Sequence, residues 1–195
     1  MSPEEAIEGV VLPALREIGL RWEKGICDVA GEHAATGQIR QWLGRLLDEV
    51  RPRAPAPTVL LSTGPADFHS ANLEAFAVLL ALRGCSPLVL GALTPVASLV
   101  EAVRILSVDA TVIVSHMGIT RRAALDSIRG VAALGTTAVF YAGNGFAAAR
   151  SRRGVPGTFL GIDMGRAADL VADSLESDGV AGGEDDRRVQ LRAGL

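Results

Sequence analysis

The residues of this sequence that could do chemistry gather in three short stretches. GPADFHSAN places Asp67 and His69 on either side of Phe68. If that stretch is extended, both side chains reach one site. The carboxylate then accepts the second ring N–H of His69, fixing its tautomer and raising its basicity as a metal ligand. SHMG brings Ser115 and His116, and the Ser115 hydroxyl can bond the acid in turn. AGNG brings Gly143, Asn144 and Gly145. The third histidine, His33, follows Glu32 near the N-terminus, with nine residues between Trp22 and Glu32. Other chemistries lack their residues. No GxGxxG or Walker-type loop offers a phosphate cradle, and neither Ser62 nor Ser115 has the GxSxG setting of a hydrolase elbow. There is no CxxC, and no pair of histidines at zinc spacing.

These stretches must be held by the elements around them. From Val59 to Leu175 the sequence alternates apolar runs with helical patterns. The runs VLLST, PLVLG, TVIVS, TAVFYAG and TFLGI read as strands buried on both faces, which predicts a five-stranded parallel sheet covered by helices. In such a sheet ligands bind outside the carboxyl ends of the strands, at the point where the winding reverses. Asp67-His69 follow the first strand, Ser115 the third and Gly143 the fourth. Strand one should therefore lie between strands two and three. Ahead of the sheet, residues 2–24 predict a helix opened by Ser2 and Pro3, with Ile7, Val11, Leu15, Ile18 and Trp22 on one face and a kink or break at Pro13. A second helix is expected from Ile26 to Val50, with Ile39, Leu43, Leu46 and Val50 toward a core. The organisation expected is a helical cap over 1–50, a stiff RPRAPAP linker over 51–57, an α/β domain over 58–177 and a disordered tail over 178–195.

Composition narrows the class. Of 195 residues, 49% are apolar, enough for a real core, and 19 basic against 22 acidic residues leave a net charge of −3. That is no electrostatic footprint for nucleic acid. No apolar stretch reaches transmembrane length, and MSPEEAIEGV lacks the features of a signal peptide. Cys27 and Cys85 read as two free thiols, so a cytoplasmic protein is expected.

The order Asp67-Phe68-His69, then Ser115-His116-Met117, then Gly143-Asn144-Gly145 resembles the DxHxxG, SxL and GG motifs of cobalamin-binding domains of the methionine-synthase type. Each element falls after the strand where that family places it. The resemblance implies a flavodoxin-like fold, with His69 as the lower axial ligand to cobalt in place of the cofactor's own base. Asp67 and Ser115 would form its relay, and the glycine loop would line the groove for the displaced tail. Trp22 with Glu32-His33 (W-x9-EH), and LPALREIGLRWEKG around it, resemble the cap of CarH/LitR-type light-dependent regulators. In those proteins the tryptophan covers the upper face and the Glu-His pair contacts an adenosyl group. The sequence departs from the pattern in four places. Asn72 stands for the motif glycine and Met117 for leucine. Glu23 stands where some photoreceptors carry a ligating histidine. No helix-turn-helix precedes the cap, and two cap helices are legible where the family has four.

Taken singly, these residues have plainer readings. His69 alone is a solvent-exposed loop histidine near a capping acid. Trp22 can close the helix pair, His33 can be a helix-surface residue and His116 can line a pocket. A buried Glu32 needs a partner. Their joint register favours a cobalamin-binding sensor or regulatory protein over an enzyme, with adenosylcobalamin the favoured form, and a light-responsive photoreceptor subunit acting through protein partners is one form it could take. The alternatives are a corrinoid carrier of a methyltransferase system and a flavodoxin-like module without a corrinoid. A two-helix cap also offers little interior for its apolar stripe, so a second copy or a regulatory protein partner is expected to cover it, with the homodimer favoured.

Overall fold

The computed structural model describes residues 1–177, so the tail expected to be disordered lies outside the described residues. Strands β1 (Thr58–Thr63), β2 (Ser86–Gly91), β3 (Ala110–Val114), β4 (Ala138–Ala142) and β5 (Thr158–Phe159) pair in parallel in the order β2-β1-β3-β4-β5. Strand one lies between two and three, as the motif positions require, and the fold is flavodoxin-like. Side chains alternate across the sheet with period two. Val59, Leu61, Val112, Val114 and Phe140 feed one apolar cluster, while Leu60, Ile113 and Tyr141 feed the other.

Helices α5 (Val96–Leu106) and α6 (Arg121–Ala132) cover the second cluster through Leu99, Val103, Ala124, Ile128 and Val131. Helices α4 (Ala71–Leu82) and α7 (164–177) cover the first. α4 is apolar nearly all round, because the sheet covers one side of it and the cap the other.

The cap opens with α1 (Pro3–Ala6), where Ser2 and Glu5 form a reciprocal capping box with bonds of 2.7 and 3.2 Å. Pro13 does not break the helix. Ile7–Val11 form one π-helical turn, with the Leu12 N–H donating to the Ile7 carbonyl, and α2 (Leu12–Glu23) follows without interruption. Proline has no N–H for the carbonyl four residues back and its ring crowds it. Widening the preceding turn accommodates both. α3 (Val29–Val50) starts later than the sequence suggested, because Gly25 turns at φ +66° and the Asp28 carboxylate caps the Gly31 N–H at 2.7 Å.

The apolar stripe of the first helix divides between two tasks. Ile7 and Val11 are buried with Leu43 in the same cluster as Val59 and Leu61, so that part packs on the chain's own sheet domain and needs no second copy to cover it. Arg83 ties the same junction together, bonding Glu4 at 2.7 Å and Asp169 at 2.5 Å, while Arg40 bonds Glu74 at 2.7 Å between α3 and α4. The far end of the stripe, at Trp22, stays 52% exposed and faces a cavity. No helix among the described residues is long and apolar enough to cross a membrane.

Candidate functional site

The loop after β1 is tied down before it presents anything. The Thr63 hydroxyl donates to the Asp67 carbonyl at 2.8 Å, and the Leu93 N–H donates to that carbonyl at 3.0 Å. Gly64 lets α6 approach, since a Cβ there would sit 2.8 Å from the Ala124 Cα. The Asp67 side chain is thereby buried completely, and it is fully bonded. Its Oδ1 accepts the His69 peptide N–H at 3.1 Å and the His69 Nδ1–H at 2.8 Å. Its Oδ2 accepts the His116 peptide N–H at 2.7 Å and the His116 Nδ1–H at 3.2 Å.

Burial pushes the Asp67 carboxyl up, but the bonds from the His116 ring, the His69 ring and the His116 peptide outweigh it and hold the group well below the usual carboxylate range. The Asp67 bond raises the His69 pKa against the opposing effect of burial, and the charges of Asp67 and Glu32 add to it. A buried anion on Nδ1 favours a positive charge on the far side of the ring, whether a proton or a metal cation. The His69 side chain is half exposed, against 15% for His116. The donor atoms of Asp67, His69 and His116 all lie within 4.8 Å of one another, a group able to hold a metal ion. N–H donors already occupy both Asp67 oxygens, which leaves the Nε2 atoms of the half-exposed His69 and of the more buried His116 for a cation.

The relay read from the sequence needs correction at one link. Among the described hydrogen bonds Ser115 does not reach Asp67 directly. Its hydroxyl lies 2.8 Å from the Thr120 hydroxyl, and Thr120 reaches Asp67 Oδ2 at 3.3 Å. Thr120 is buried at the start of α6, and nothing in its sequence setting marks it. Asn72 does not take a left-handed turn; it lies in the first turn of α4, so the helix simply begins where the motif glycine would stand. The glycine loop serves packing as well as access. Gly143 has φ +97°, and a Cβ there would meet the Ser115 carbonyl oxygen at 2.3 Å. A Cβ on Gly145 would meet the Ser115 Oγ at 2.5 Å.

A cavity of about 980 Å³ joins the cap to this edge of the sheet. Trp22, Glu32 and His33 line it from the cap; His69, Met117, Gly143 and Asn144 line it from the sheet, with His116 among them. Asp67, Ser115 and Gly145 stand buried behind that wall. Glu32 is held by His33 at 2.5 Å and by the Thr36 hydroxyl at 2.9 Å, which supplies the partners a part-buried acid needs. The residues singled out in the sequence thus come together around one space, open between two walls. Gly19 and Gly37 are among the cap residues that line it, and an added Cβ at either would meet no atom within 4 Å.

Comparison with known proteins bears on the N-terminal segment and on the fold. Residues 1–47 match the family model described as the B12 binding domain. The HTH-type transcriptional repressor CarA of Myxococcus xanthus is 37% identical over 99 residues, which make up 51% of this chain and 33% of the repressor. The chain therefore matches about a third of that relative's length. Among solved structures, the monomethylamine corrinoid protein of Methanosarcina barkeri aligns with a TM-score of 0.68 at 11% identity, over 89% of this chain and 84% of its own. A cobalamin-binding protein of Desulfitobacterium hafniense aligns with a TM-score of 0.52 at 15% identity, over 80% and 76%. At these identities the structures speak for the fold.

Proposed function

From the premise of a cobalamin-binding domain close to the CarH type, which the family match and the curated relative support, we propose that this chain is a cobalamin-dependent sensor or regulatory protein. His69 is the lower axial ligand to cobalt, held by Asp67, and Trp22, Glu32 and His33 form the wall over the upper face. One observation carries this reading. The His69 ring has its Nδ1 bound to a buried carboxylate and lies on a cavity whose opposite wall is the cap. A cobalt corrinoid supplies a metal centre whose upper ligand can be exchanged or cleaved, and the chain's part is to hold it and feel that change. Adenosylcobalamin is the favoured form, since a part-buried Glu32 and an exposed indole offer a hydrogen-bonding and stacking surface for a large upper group. The protein would act in the cytoplasm, as a homo-oligomer or with a regulatory protein partner. Its two free thiols fit that compartment.

The test is the visible spectrum of the purified chain with adenosylcobalamin, in the dark and after illumination. A bound, dark-stable adenosyl form whose release alters assembly supports the sensor. The fold likeness to a monomethylamine corrinoid protein over 89% of the chain favours a second reading, a corrinoid carrier. That reading predicts a methyl form consumed by a methyltransferase and indifference to light.

A further inference from the structure

Asp67 divides its two oxygens evenly. Each accepts one peptide N–H and one imidazole Nδ1–H, from His69 on Oδ1 and from His116 on Oδ2. The ring centroids lie 5.1 Å apart, tilted by 42°. The two peptide donors hold the carboxylate in place whatever side chains follow. The rings decide where its charge goes. We infer that His116 is a positioning residue that draws part of the Asp67 charge away from His69 and so sets how firmly His69 binds cobalt. This inference rests on the proposed role of His69 as the ligand.

Three features support the division. The His116 ring is four-fifths buried or more while the His69 ring is half exposed, so the two are not interchangeable toward the cavity. The His116 Nδ1 contact, at 3.2 Å, is longer than that of His69 at 2.8 Å, so it trims the carboxylate's donation without capturing it. The Thr120 hydroxyl stands 3.3 Å from the same Oδ2 but lies nearer the Met117 carbonyl, at 2.9 Å, so the His116 ring is the main side-chain donor on that oxygen. A carboxylate shared among several donors polarises each less than one that serves a single donor.

The experiment uses aquacobinamide, which has no base of its own, so that a nitrogen on its lower face must come from the protein. Spectral titration is done with the full chain and with His116→Phe, His116→Asn, Asp67→Asn and the Asp67→Asn/His116→Phe double variant. Removing the ring donor should tighten nitrogen-ligated binding by about two- to tenfold, the weight of one modest hydrogen bond. Asparagine places an N–H close to where Nδ1 stands and should restore the wild-type value. The Phe effect should vanish in the Asp67→Asn background, because His116 acts through that acid. A His116→Phe effect of the same size in both backgrounds, or weaker binding in the single variant, overturns the inference. If wild type binds cobinamide without a nitrogen ligand, the role of His69 itself fails, and this is distinct from any result with His116. Should Asp67→Asn not fold, nitrogen NMR of the histidine rings in the cofactor-free wild type decides. Both rings protonated at Nδ1 supports the sharing; His116 protonated at Nε2 overturns it.

Discussion

Replacing Asp67 by asparagine tests the buried carboxylate that organises this site. Asparagine has nearly the same shape but only one acceptor oxygen. Whichever way the amide turns, its NH₂ faces a peptide N–H and an imidazole N–H now 2.7–3.2 Å from a carboxylate oxygen. One buried peptide donor is then left without an acceptor, which costs about 1–3 kcal/mol, and bonds to a charge are replaced by bonds to a neutral group. The cofactor-free variant should lose about 2–5 kcal/mol in urea unfolding. The loss should depend on pH with a definite sign. The Asp67 carboxyl titrates lower in the folded chain than in the unfolded one. The wild-type advantage is therefore complete above about pH 5 and shrinks as pH falls through about 4 and below. Cobalamin affinity should fall about 10–100-fold, as is usual when the group behind a metal-ligating imidazole is removed. A variant within about 0.5 kcal/mol of wild type at neutral pH, the scatter of an ordinary surface change, would refute the bonded geometry around Asp67.

The other predictions concern the walls and the junction. Gly143→Ala combines a positive φ with a Cβ placed 2.3 Å from a carbonyl oxygen, so it should destabilise by more than about 1–3 kcal/mol. Gly25→Ala, with positive φ but nothing within 4 Å, should cost about 1 kcal/mol and serves as its control. Trp22→Ala removes a half-exposed side chain and should change unfolding by less than about 1 kcal/mol, while weakening adenosylcobalamin more than forms with a small upper ligand; equal losses across all forms, by titration, would make Trp22 a support only. Arg83→Met breaks the two ion pairs that join the end of α4 to the cap at Glu4 and to α7 at Asp169. It should leave the strands as protected as before but raise hydrogen exchange in residues 3–23, and unchanged exchange there would show that apolar packing alone holds the cap.

Much of this was legible because it rests on periodicity and on where ligands sit in parallel sheets. The continuous apolar runs at Val59, Thr111 and Ala138 marked strands covered on both faces, and the motif positions then fixed the strand order. Asp67 and His69 were visible as a pair because they flank a single residue, while the bond that brings the His69 N–H back to the carboxylate came only with the structure. What escaped depends on contacts between distant segments. Thr120 joins the relay through the way α6 begins, and His116 shares Asp67 across 49 residues of chain. The glycines of the fourth loop were legible as a need for close approach, but the approaching group is the Ser115 turn. The π turn before Pro13 kept the first helix whole where proline alone predicted a kink. The first helix also read as a stripe seeking a partner, whereas Ile7 and Val11 find one in their own sheet domain.

The most direct measurement is electron paramagnetic resonance of the cob(II)alamin-loaded chain grown with nitrogen-15 histidine. Nitrogen on the lower axis of cobalt splits the signal, and the splitting pattern reports which isotope is bound. If His69 is the ligand, the labelled protein shows the doublet pattern of nitrogen-15, and His69→Ala loses it. A triplet pattern from unlabelled nitrogen would mean that the cofactor keeps its own base. A doublet that survives in His69→Ala would assign cobalt to another histidine. Either result contradicts the site described above.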